Sequence, residues 1–141
     1  MRFLAFIFLV FFLSLYISCN RKHENWKGGV IKEYGIYTLS NRRFTIDVKS
    51  RNGLLDYKVF GINSELIFET AENSSCYSTW FMFWDTKNDA LWISSSDIGI
   101  FVWIKSDKEG KHFKKEIMRP NYKLPLEMPN DFYRELPQSM K

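Results

Sequence analysis

Two short stretches of the chain are apolar at nearly every position, Trp80-Phe81-Met82-Phe83-Trp84 and Ile98-Gly99-Ile100-Phe101-Val102-Trp103-Ile104. Side chains alternate between the two faces of a strand, so segments of this kind need cover on both sides. They belong at the centre of a layered fold or in an interface. Phe44-Thr45-Ile46-Asp47-Val48-Lys49 reads differently, with Phe44, Ile46 and Val48 on one face and Thr45, Asp47 and Lys49 on a wet one.

Around these segments, β-branched and aromatic runs alternate with turn residues. The pattern predicts strands over 30–33, 35–39, 43–49, 55–62, 65–70, 77–84, 90–94 and 99–105, and a weaker one over 112–118. Asn52-Gly53 supplies the positive φ of a tight hairpin, and Asn63-Ser64, the 86–89 turn and the 107–110 turn join later neighbours. No long apolar stretch of helical period lies between them, which excludes crossover helices and a parallel α/β fold. The expected fold is mainly β: a single antiparallel meander sheet or a small barrel, with a Pro-rich C-terminal tail and one short helix. In that tail Pro120, Pro125, Pro129 and Pro137 break any ladder, and Asn130 is positioned to cap a helix over 131–136. Leu124, Leu126, Met128, Phe132 and Leu136 give it apolar anchors against one side of the sheet.

The amino terminus obeys another logic. A basic start at Arg2 precedes an uncharged apolar run from Phe3 to Ile17 and a small residue, Ser18, before Cys19. That order is the grammar of an export signal. As a helix the run would reach about 22 Å, short of a hydrocarbon core of about 30 Å, so a permanent span is disfavoured. Leu15-Tyr16-Ile17-Ser18-Cys19 resembles the lipobox of bacterial lipoproteins, departing from the usual leucine at Tyr16. The resemblance implies cleavage before Cys19, a diacylglyceryl thioether and fatty acyl chains such as palmitate on that residue, and attachment to a membrane of the cell envelope. Asn20 after the cysteine implies the outer membrane if the cell is Gram-negative. The expected organisation is a signal peptide at 1–18, an anchor and tether at 19–29, a β domain at 30–119 and a wrapping tail at 120–141.

Cleavage would remove one basic residue, leaving 19 basic against 16 acidic side chains and a net charge of +3. Basic residues are interspersed with acidic ones, so no nucleic-acid stripe is expected. The densest basic stretch, Lys105 to Lys123, reads as a solvated hairpin and strand, with contact to anionic lipid or an acidic partner as the alternative. With Cys19 lipidated, Cys76 has no partner in the chain and is expected to behave as a small buried apolar residue.

No metal or cofactor is expected. His23 and His112 lie far apart in the sequence, and the 85–89 loop lacks the pattern of a calcium site. Phosphate-binding glycine motifs do not occur. Glu65, Glu69 and Glu72 allow a glycosidase pair to be drawn but carry no specific signal. Ser94-Ser95-Ser96-Asp97 with His112 contains the residue types of a hydrolytic triad, without the strand-to-helix elbow that exposes a serine nucleophile. A turn in which Asp97 bonds nearby backbone is the simpler expectation.

Aromatic residues stand out from Tyr77 to Trp103. Most are expected in the core, and Trp80, Trp84, Trp92 and Trp103 are the candidates for a binding surface. The segment from Tyr77 to Leu91 is similar to part of the membrane-bound lysozyme inhibitors, small β-barrel lipoproteins; the similarity covers fifteen residues and leaves the mature domain's family open. Toxin-immunity lipoproteins fit the same outline. The expectation is a non-enzymatic, lipid-anchored envelope protein that binds a protein or glycan through an aromatic β face. The alternatives are a small envelope hydrolase using Ser96 or Asp97 with His112, and a structural envelope component.

Overall fold

A computed structural model describes residues 21–71, 73–107 and 112–141. Ten strands form among the described residues: β1 (Lys22–Trp26), β2 (Gly29–Ile31), β3 (Gly35–Leu39), β4 (Thr45–Arg51), β5 (Leu54–Phe60), β6 (Leu66–Glu69), β7 (Trp80–Asp85), β8 (Ala90–Ser95), β9 (Gly99–Lys105) and β10 (Phe113–Ile117). They build two five-stranded sheets. Sheet I has the order β1-β3-β4-β5-β6, and sheet II the order β10-β9-β8-β7-β2. The expected single sheet is therefore replaced by two, and they do not close into a barrel. The meander survives within each sheet: β3 to β6 and β7 to β10 pair antiparallel in sequence order.

Alternation explains why the sheets stack. Tyr37, Leu39, Ile46, Val48, Leu55, Tyr57, Val59 and Phe68 point from sheet I into one buried cluster with Met82, Trp84, Leu91, Ile93, Phe101 and Trp103 from sheet II. Phe68 stacks on Trp103 with ring centroids 4.6 Å apart, and Phe44 lies 4.8 Å from Trp84. The other face of sheet I carries Thr45, Asp47, Lys49 and Lys58 at intermediate exposure, as the alternation in 44–49 requires.

The central strands of sheet II, β7 to β9, have no wet face. Phe81, Phe83, Ala90, Trp92, Ile100, Val102 and Ile104 point away from sheet I and are buried with Phe132 and Leu136. Leu124, Leu126, Met128 and Met140 of the tail pack against the same cluster. The tail thus forms a third layer, held by α1 (Asn130–Glu135) and a 3-10 turn at Gln138–Met140. Asn130 does not cap α1: the cap position is Pro129, whose fixed φ and extended ψ end the preceding chain, and no side chain bonds the first turn.

The segment 21–29 departs most from expectation. Within the expected tether, Lys22–Trp26 is a strand and pairs parallel to β3, with a register irregularity between His23 and Trp26. The Ile36 N–H donates to the Arg21 carbonyl at 2.9 Å, and Ser40 N–H donates to the Trp26 carbonyl at 2.8 Å. Gly35 makes this approach possible, because a Cβ there would fall 2.6 Å from the Arg21 oxygen. The His23 ring also stacks on Tyr37 at 4.4 Å, nearly parallel. Turn residues and charges hide this strand in the sequence. Gly29 then begins β2, which crosses to the edge of sheet II and pairs with β7.

Candidate functional site

The structure separates the four tryptophan candidates. Trp84 and Trp92 are buried, as is Trp103. Trp84 and Trp103 face sheet I, while Trp92 lies under Phe132 of the tail. The surface expected of these three is corrected to core, because the second sheet covers one face and the tail the other. Trp80 alone remains half-buried, at the start of β7.

Trp80 belongs to a different aromatic grouping at one end of the sandwich. The 73–79 loop crosses this end between hairpins of the two sheets. Cys76 N–H donates to the Gly53 carbonyl at 3.0 Å, and Leu55 N–H to the Ser74 carbonyl at 2.8 Å, tying the loop to the β4–β5 hairpin. That hairpin turns through Asn52 and Gly53 with φ of 53° and 77°, the left-handed pair expected of Asn-Gly. On the other side, Ser96 N–H donates to the Thr79 carbonyl at 3.0 Å.

Asp97 holds the remaining attachments. Its carboxylate accepts from the Ser95 hydroxyl, from the Ser75 N–H at 2.7 Å and from the Ser74 hydroxyl at 3.1 Å. Ser74 and Ser95 are themselves buried, with their hydroxyl oxygens 2.8 Å apart. The Ser95 bond, followed by those from Ser75 and Ser74, holds the carboxyl down at about 2. The serine-rich segment thus forms a clasp between two loops.

His112 lies elsewhere. Ser106 N–H donates to its carbonyl at 2.9 Å, and its ring meets Asp107, beside the end of β9. Asp97 precedes the start of β9 at Gly99. Six strand steps separate these ends, roughly 20 Å at about 3.3 Å per residue. Ser96, Asp97 and His112 therefore cannot act on one substrate atom, and that hydrolase constellation is withdrawn. The 85–89 loop is also used structurally: Asp85 accepts from Lys87 N–H at 2.9 Å and from the Asn88 amide at 2.7 Å. Glu65 accepts from Asn63 N–H, and Glu69 pairs with Lys58, while Glu72 lies outside the described residues. Among the described residues, no group of three or more His, Cys, Asp or Glu side chains is placed to hold a metal.

The clasp presents aromatics outward. The Tyr34 ring lies 5.5 Å from that of Trp80, and its hydroxyl reaches the Cys76 carbonyl at 3.5 Å. Burial pushes the Tyr34 hydroxyl above its ordinary range. Tyr77 projects from the loop and is 89% exposed. Cys76 is half-buried and free, in place of the enclosed position expected for it. The sequence signal for this surface was present in Asn73 to Trp84, which contains no charged residue, but the loop geometry separates Tyr77 and Trp80 from the buried strand that follows.

Within the basic stretch at 105–123, Lys114 pairs with Glu116 at 2.8 Å, Tyr122 donates to Glu116 at 2.7 Å, and Lys115 lies over the Phe101 ring at 4.0 Å. Comparison of the chain with protein families, with curated proteins and with solved structures finds no match in any of the three.

Replacing Asp97 by asparagine is expected to loosen the clasp. The loss is about 1 kcal/mol at neutral pH, since charge-assisted bonds to an exposed carboxylate are partly screened. A carboxyl lowered in the folded chain stabilises it above its ordinary value of 3.8, and that contribution disappears as pH falls toward about 2. Denaturant melts of both chains should therefore differ at pH 7 and converge near pH 2. An equal gap at both values would contradict the role given to the charge.

Proposed function

We propose that this chain is a lipid-anchored, non-enzymatic domain of the cell envelope that binds a protein or glycan at the membrane surface. The observation that carries the reading is how few residues separate the lipobox-like cysteine from the described sheet. Arg21 already gives its carbonyl to β3, and only Asn20 stands between it and the lipobox-like Cys19. Acyl chains on Cys19 would hold the sandwich against the bilayer, with no spacer of its own to reach away from it. Among the described residues no helix is long and apolar enough to cross a membrane, so they offer no helical span as a competing means of attachment.

Both faces of β7 to β9 are filled, so a partner is left the open face of sheet I, the edge strand β10 and the ends of the sandwich. The fold supports binding by presenting these surfaces on a closely packed scaffold. The separation of His112 from Ser96 and Asp97 removes the particular arrangement on which the hydrolytic alternative rested.

The deciding experiment expresses the full chain in bacteria fed an alkyne-bearing palmitate analogue. The expected result is label in the membrane fraction, with loss of label and retention of residues 1–18 in a Cys19→Ala chain. An unlabelled chain with an intact methionine terminus and free Cys19 thiol would end the anchored reading.

A further inference from the structure

The two ends of the sandwich differ in chemistry, and the amino terminus enters near one of them. Arg21 pairs with Glu33 at 3.1 Å, and Glu33 is followed by Tyr34, which neighbours Trp80 and the Cys76 carbonyl. The aromatic clasp and the point of entry are therefore contiguous. We propose that the end carrying Tyr34, Tyr77 and Trp80 is seated in the headgroup layer of a phospholipid bilayer, with the opposite end in water. This rests on the lipid-anchored reading and adds to it the orientation of the domain and the surface that meets lipid.

Three observations carry the inference. Cys19 lies two residues before Arg21, so chain reach alone limits the two Cα atoms to about 7 Å apart, at most ~3.6 Å per residue. The headgroup layer is itself roughly 5–7 Å deep on each side of the hydrocarbon. A domain held on so short a leash cannot keep its entry end clear of that layer.

The composition of the end fits the layer. Asn73 to Thr79 is uncharged, and the neighbouring hairpin turns through Asn52 and Gly53. Of the nearby charges, Arg51 is paired with Asp56 at 3.0 Å, and the Asp97 carboxylate keeps its charge but is held by three neutral donors of the clasp. Tyr and Trp favour the boundary between water and hydrocarbon because each joins an apolar ring to a polar atom. An almost fully exposed Tyr77 beside Tyr34 and Trp80 supplies that pair of properties. Lys22, exposed at the entry, adds a cation suited to anionic headgroups.

The opposite end is built for water. Arg43 and Lys105 both pair with Asp89, and exposed Lys27, Arg42 and Lys87 lie on the turns there. Placing that end against lipid would require desolvating several charges.

The test uses the full-length chain isolated from bacterial membranes and placed in vesicles of phosphatidylethanolamine and phosphatidylglycerol. Lipid on Cys19 leaves Cys76 as the one other cysteine of the chain, available for a nitroxide label. A Cys76→Ser, Lys87→Cys chain carries the label at the opposite end. Mass spectrometry on each preparation reports the state of Cys19. The expected result is several-fold lower access of a water-soluble nickel relaxant to position 76 than to position 87. Introducing Tyr77→Asp should raise access at 76 while leaving the melting temperature nearly unchanged, because Tyr77 is scarcely packed. Lipidated protein with equal access at both positions would overturn the seating and leave the anchor intact. An unmodified Cys19 would overturn both. Shielding of position 76 that appears only on adding envelope glycan fragments or a protein partner would also overturn the lipid assignment.

Discussion

Replacing Phe132 by alanine is expected to destabilise the protein by about 3–5 kcal/mol, the range for removing a large aromatic side chain from a packed interior. Phe132 is completely buried, with its ring centroid 5.0 Å from Phe81, 5.5 Å from Trp92 and 6.3 Å from Phe83. Its helix has six residues and no side-chain cap, too short to persist without tertiary contacts. Loss of the ring should therefore do more than leave a cavity: the tail should lift and uncover the outer face of sheet II. Equilibrium unfolding in denaturant measures the first effect, and binding of a dye specific for exposed apolar surface measures the second. Tyr133→Ala is the control, because that neighbouring residue is about half exposed, at 46%. A Phe132→Ala chain within about 1 kcal/mol of the parent, with no added dye binding, would show that sheet II does not depend on this cover.

That dependence was partly legible in the sequence. Uninterrupted apolar positions at 80–84 and 98–104 demanded two covered faces, and the apolar anchors after Arg119 offered one cover. Strand ends agreed where alternation and turn chemistry acted together: Gly35–Leu39 and Gly99–Lys105 fold over the expected residues. The division into two sheets was not legible. Local pattern specifies which residues point inward, but a sheet that curls on itself and two sheets that stack require the same alternation. Strand β1 was hidden for another reason. Lys22-His23-Glu24-Asn25-Trp26 has little β propensity, and it is held instead by backbone bonds along β3, by the ring of Tyr37 and by the missing side chain at Gly35. The tryptophans illustrate the same limit. Period two set Trp92 against Leu91 and Ile93, and Trp103 against Val102 and Ile104, but it could not say that both faces of the sheet were occupied. Tyr77 and Trp80, by contrast, leave the strand pattern at the loop, where contacts distant in sequence decide exposure.

The second large effect concerns the layer between the sheets. Replacing Trp103 by alanine is expected to cost about 3–5 kcal/mol. The indole stacks on Phe68 of sheet I and donates its N–H to the Tyr57 hydroxyl at 2.8 Å, so it joins the sheets by packing and by a buried polar contact. Tyr57→Phe separates the two contributions, because it keeps the ring and leaves the Trp103 N–H without its acceptor. A loss of about 1–3 kcal/mol is expected from that orphaned donor. Burial raises the Tyr57 hydroxyl well above its ordinary value of 10.0, against a smaller opposing effect of the Trp103 bond. The folded state therefore favours the neutral phenol, and its advantage must diminish as pH rises above the value at which the unfolded tyrosine ionises. Unfolding curves should show parent and Tyr57→Phe chains well separated at pH 7 and drawing together beyond pH 10, as the unfolded phenol of the parent ionises. A gap that stayed constant to high pH would place the hydroxyl in contact with solvent. That result would contradict a dry seam between the sheets and the assignment of Trp103 to the core.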